Sequence, residues 1–238
     1  MTSLDHPMST VSNSRTALSW LPIVCGVTPL AVAVTSYLIS VAAGKVPSCV
    51  VFIEGCTSIS AAGRNAPAVY FFKGVALPLS TLVLAYWWLA GHWLRGIGAA
   101  VANARTVQLL GLAAVVFFVV YATLLGSEGP AYRAMRRYGV VLYFAFTGLA
   151  QMYLARGMLR AAPERQGRLA RIQLSICALQ LLMGLGVVLP ELVVEVPSDI
   201  ENIVEWNFAL LMNANIALTF FAWRSQPISF HITVHPEP

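Results

Sequence analysis

The chain has 238 residues, 58% of them hydrophobic and only 11% charged, with a net charge of +5 and a mean hydropathy of +0.73. A soluble domain carries about 25% charged residues, so too few polar side chains are present to coat a globule of this size. That excludes a cytosolic enzyme, a disordered tail and a secreted disulfide scaffold. Apolar residues gather in six stretches free of Asp, Glu, Lys and Arg, at 16–44, 74–94, 106–127, 138–155, 172–190 and 206–223. About 20 helical residues cross roughly 30 Å of hydrocarbon. The expected fold is all-α, a polytopic integral membrane bundle of six helices near 18–43, 67–91, 106–126, 138–158, 171–191 and 203–223. Helices are favoured over a barrel because Leu109 to Leu125 is apolar nearly all round, where a barrel strand would alternate. A helix also satisfies its own backbone in lipid.

In chain order, residues 1–15 form a polar, Ser/Thr-rich tail, and His6 in it is uninformative. The first apolar block is too long for a signal peptide and lacks a clear small-residue cleavage site, so it is read as a retained helix. The following connection, Gly44 to Ala66, is the longest in the chain and is apolar enough to pack back on the bundle. It contains Cys49 and Cys56, which can form a bridge if they face an oxidising compartment. Cys25 and Cys177 lie in apolar helices and read as small packing residues. The second helix starts near Pro67, a residue suited to a first turn. It takes in Lys73, and Pro78 is a kink candidate.

His92 beside Trp93 fits an interfacial belt. Arg133, Arg136 and Arg137 share one helical face next to the membrane entry at Tyr138. Their forks suit a lipid phosphate, or they snorkel or pair with the acidic stretch 191–205. The segment 156–171 reads as a loop with five arginines. Glu205 and Asn207 fall in the first turns of the last helix. At 100° per residue, Asn213 and Asn215 lie on opposite sides of Glu205, so at least one serves as interhelical glue. Lys73 and Glu205 can pair as a structural unit or contact a substrate. The C-terminal tail 225–238 carries His231 and His235 without the companions a metal site needs.

Counting Lys and Arg sets the orientation. Nine fall on the side of the two termini: Arg15, Arg95, Arg105, Arg156, Arg160, Arg165, Arg168, Arg171 and Arg224. Six fall opposite: Lys45, Arg64, Lys73, Arg133, Arg136 and Arg137. The positive-inside rule then places both termini in the cytoplasm. Seven of the ten acids face the exterior, so the net charge is a topology signal and no nucleic-acid partner is expected. By this topology no histidine lies outside. P-loop, dinucleotide-binding and metal-ligand signatures are missing, and no cofactor is expected. A transporter is the weaker alternative, because no repeat or broken-helix pattern stands out.

Two motifs carry a resemblance. Thr57-Ser58-Ile59-Ser60-Ala61-Ala62, followed by Pro67 and an aromatic-rich helix, resembles the Ser-x-Ser-Ala-Ala loop of GPI lipid-remodelling factors. Glu205-Trp206-Asn207 through Asn213 and on to Trp223 resembles their Glu-aromatic…Asn…Trp last helix. These factors belong to the FRAG/DRAM/SFK group, with the N-terminal domain of the yeast calcofluor-white-hypersensitive protein, and its six-helix layout covers about 16–224. Thr57 stands where the group has a proline, and Gly74-Val75-Ala76-Leu77 lacks a histidine carried by eukaryotic members.

The resemblance implies remodelling of lipid chains at the exterior leaflet. The Ala- and Arg-rich composition has a bacterial character, and a bacterium would supply a lipid other than a GPI anchor. The location is then the inner membrane; in a eukaryote it would be the Golgi or ER membrane. In an enzyme, Glu54 or Glu205 would be the base and Ser58 or Ser60 the nucleophile. Lys73 or Arg64 would stabilise an oxyanion. In the alternative, the protein binds or organises membrane lipids without chemistry, through Arg64, Lys73, Arg133, Arg136, Arg137, Asn207 and Asn213. No protein partner is read from the sequence.

Overall fold

Each apolar stretch can bury its backbone polarity only by coiling, and six long helices result. The computed structural model describes residues 18–191 and 196–228. The tail with His6 and Arg15, Glu195, and residues 229–238 with His231 and His235 lie outside the described residues. A short 3-10 turn, Leu18–Trp20, leads into α1 (Leu21–Ala42). Two short helices follow, α2 (Val51–Glu54) and α3 (Ile59–Gly63). The remaining long helices are α4 (Ala68–Gly96), α5 (Val101–Leu124), α6 (Pro130–Ala161), α7 (Pro163–Glu191) and α8 (Ser198–Ser225). Six are long and apolar enough to cross a membrane, and no strand occurs among the described residues. The fold is that of a multi-pass membrane protein.

The six spans form a ring in chain order, each touching the next, with α1 closing against α8. Trp20 packs on Phe220 at 4.9 Å, and Trp93 donates to the Gln226 carbonyl at 2.9 Å. Both ends of the described chain therefore share one end of the ring. The opposite end carries α2 and α3 and is called the capped end. Large apolar side chains such as Leu109, Val116, Leu182 and Val188 point outward, a surface suited to lipid and too apolar for a soluble monomer.

Lipid tails are as apolar as leucine, so close packing and hydrogen bonds hold such helices together. Gly26 of α1 shows how close: a Cβ there would sit 2.5 Å from the Asn213 carbonyl and 2.7 Å from the Ala217 nitrogen of α8. α7 attaches differently. Only 17% of its span is buried, against 39–44% for the other five. Three glutamines spaced seven apart, Gln166, Gln173 and Gln180, turn to α8 and are nearly inaccessible. Gln166 donates to Ser225 Oγ, Gln173 to the Asn215 carbonyl, and Gln180 to the Phe208 carbonyl. Asn215 returns a bond to the Gln173 carbonyl and another to Cys177 Sγ.

Several helix boundaries differ from the sequence reading, most of all those of α6 and α7. α6 begins at Pro130, so the three arginines occupy its first turns. The segment 156–171 is helical except for Ala162, where α6 stops and Pro163 opens α7. Charge-free stretches mark only the hydrocarbon-buried part of a helix. Arginine-rich ends, made of good helix formers, continue past it.

Candidate functional site

The connection between α1 and α4 folds onto the bundle through its own backbone carbonyls. Trp206, fully buried, donates Nε1–H to the Thr57 carbonyl at 2.9 Å. Asn202 donates to Gly55 O at 2.8 Å, and Asn207 donates to Phe52 O at 2.9 Å. From α1, Ser40 donates to Ala62 O at 2.6 Å, and the Tyr37 hydroxyl bridges the N–H and the carbonyl of Cys49. Cys49 and Cys56 are joined in a disulfide. Gly55 ends α2 with φ +62°, and a Cβ there would collide with the Asp199 carbonyl. Buried loop carbonyls must find donors, and α8 supplies three of them.

α3 starts at a capped turn. Ser58 Oγ accepts from the Ala61 N–H at 3.0 Å, the ordinary duty of a serine N-cap. The next two N–H groups, of Ile59 and Ser60, interact with the Glu205 carboxylate. Ser60 Oγ and Tyr121 OH share a hydrogen bond of 3.0 Å. Beneath lies a cavity of about 50 Å³, walled by Phe72, Phe118, Tyr121, Tyr143, Phe144 and aliphatic side chains of α1 and α8. Glu205 and Asn213 add the other polar groups. Asn213 is buried, its Nδ2 donates to the Ala209 carbonyl, and its Oδ1 has no partner.

A second, wider cleft of about 670 Å³ opens where the α3–α4 connection meets the α5–α6 turn. Arg64, Arg133 and Arg136 line it with Asn65, Ser127 and Glu128. Arg136 is fixed by hydrogen bonds to the Leu124 and Ser127 carbonyls at the end of α5. Arg64 and Arg133 are exposed. Tyr121 walls the cavity and lies within electrostatic reach of Arg136, which lines the cleft.

The structure thus brings Glu205 and Asn213 to one cavity, with Ser60 hydrogen-bonded to its wall at Tyr121, and Arg64, Arg133 and Arg136 to one cleft. It leaves others apart. Glu54 is exposed and caps α2 by accepting from the Val50 N–H at 3.1 Å. Lys73 is half-buried and forms no ion pair with Glu205 among the described residues, because Glu205 is turned to the start of α3. Ser58 is engaged as a cap, Asn207 as a loop clamp, and Arg137 lies outside the cleft lining. Ser60 Oγ bonds to a tyrosine and not to a base. His92 packs beside Trp88, distant in sequence from any of these groups.

Sequence reasoning missed Tyr121, Phe118 and Tyr143. Their only signal is an aromatic stripe on otherwise ordinary apolar helices, which core packing explains as readily. No protein-family model, curated protein or solved structure matches the chain.

Proposed function

We propose that the protein binds phospholipid at the exterior leaflet, with the lipid phosphate in the cleft of Arg64, Arg133 and Arg136. The observation that carries this is the convergence of Arg64, from the α3–α4 connection, with Arg133 and Arg136, from the first turns of α6, on one cleft at the capped end. Guanidinium groups match phosphate oxygens in pairs, and the outward apolar faces of the helices leave room for acyl chains. Orientation follows from the nine-to-six count of basic residues, which puts the capped end outside. The resemblance to GPI lipid-remodelling factors points the same way.

Binding is favoured over chemistry because both candidate serines are committed to other partners, Ser58 to a backbone N–H and Ser60 to Tyr121. Acyl-chain remodelling is the second reading. It is supported by Ser60 and Glu205 meeting at the start of α3, where Glu205 would act as base.

Native mass spectrometry of detergent-purified protein tests both readings. Wild type should retain phospholipid, and Arg64→Ala with Arg133→Ala should lower its affinity about tenfold. Unchanged affinity would overturn the arginine assignment. A deacylated or transacylated product from labelled phospholipid, absent in Ser60→Ala, would replace binding with remodelling.

A further inference from the structure

The polar groups facing the cavity beneath α3 ask for the same kind of occupant. Glu205 is negative when ionised, and no lysine, arginine or histidine pairs with it among the described residues. Another carboxylate, Glu201, one turn earlier on α8, adds to the negative potential at Glu205. Arg136, on the neighbouring α6, is held by two carbonyls and faces the arginine cleft. Asn213 donates one Nδ2–H to its own helix, and its acceptor Oδ1 has no partner. The walls are the rings of Phe72, Phe118, Tyr121, Tyr143 and Phe144, whose faces are electronegative. A carboxylate, an orphan carbonyl oxygen and several aromatic rings together describe a site for a cation that carries N–H donors.

Size narrows the class. A space of about 50 Å³ exceeds the 10–15 Å³ that one water needs, yet it is small for a group swollen by three methyls. We propose that this cavity seats a primary ammonium group, the amine of an aminophospholipid whose phosphate lies in the adjoining arginine cleft. Glu205 supplies the countercharge, Asn213 Oδ1 accepts one N–H, and the rings surround the remainder. The lipid source rests on the phospholipid reading above, whereas the ammonium chemistry stands on the cavity alone.

The experiment titrates purified protein with dioleoyl phosphatidylethanolamine, its mono-, di- and trimethylated forms, dioleoyl phosphatidylglycerol, free ethanolamine and sodium chloride. Bound ligand is read by native mass spectrometry, and thermal unfolding checks that each sample is folded. The expected result is an affinity that falls with each added methyl, by about tenfold or more from the primary to the quaternary amine. Glu205→Gln should reduce the primary amine to the level of the quaternary one. Glutamine keeps an oxygen for the Ile59 and Ser60 N–H groups, and the methylation series needs no variant at all. Equal binding of all four lipids would overturn the ammonium site and leave the phospholipid reading standing. Glu205-dependent binding of ethanolamine with no lipid bound would do the reverse. Saturation by sodium alone would reassign the cavity to a metal cation, and failure of every probe would overturn both.

Discussion

Glu205 and Trp206 are neighbours with separate tasks, one turned to the cavity and the start of α3, the other driven into the loop above it. Replacing Trp206 with phenylalanine keeps most of the ring packing against Tyr37 and Phe52 but leaves the Thr57 carbonyl without its donor. The cost should be about 1–3 kcal/mol, read as a lower midpoint in thermal or denaturant unfolding. Gly55→Ala should cost about 2 kcal/mol or more. It meets both a left-handed backbone angle and the Asp199 carbonyl, and the loss should appear as faster proteolysis of the α2–α3 connection. A Gly55→Ala protein as stable as wild type would show that this turn relaxes freely away from α8.

At the scale of elements, the six spans were legible because each has to be a long apolar run. The loop's return to the bundle was legible from its apolar content. The reason it returns was not, since a carbonyl's donor 150 residues away leaves no local pattern. The glutamines of α7 were present in the sequence at a constant spacing of seven, but Gln173 and Gln180 lie in a span that apolar residues alone explained, and Gln166 in the segment read as a loop. They carry the next prediction. Interhelical hydrogen bonds in membranes average about 0.6 kcal/mol, so Gln173→Leu alone should alter stability little. Replacing Gln166, Gln173 and Gln180 together should release α7 from α8, while the close α1–α8 contact at Gly26 remains. Spin labels on α7 and α8 would read this as a broadened distance distribution. The candidate site was half legible. Glu205 and Asn213 were named from sequence and line one cavity, with Ser60 at the Glu205 end of it, while Lys73 and Glu54 do not join them. The aromatic walls stayed hidden because their stripes look like any packed core.

For the whole molecule, orientation is the property on which the lipid reading depends. Single cysteines at Lys45 and Arg165 should report it against a quiet background, since Cys49 and Cys56 are joined and Cys25 and Cys177 are buried. An impermeant thiol reagent should label Lys45→Cys in intact cells and Arg165→Cys only after permeabilisation. The reverse pattern would move the capped end to the cytoplasm and remove the exterior leaflet as the lipid source.

The hydrogen bonds from α8 to the first long connection also impose an order of events. Gly55, Thr57 and Phe52 leave the ribosome 147 to 155 residues ahead of the side chains that satisfy them. At 5–20 residues per second that interval is on the order of 10 s. Cys49 and Cys56, only seven apart, can find each other at once, whereas the loop has only its α1 contacts, at Tyr37 and Ser40, until the last helix arrives. A nascent chain halted before α8 would therefore carry a crosslinked loop held by α1 alone, with the Phe52, Gly55 and Thr57 carbonyls still without their donors. Arrival of the final span is what completes the first connection.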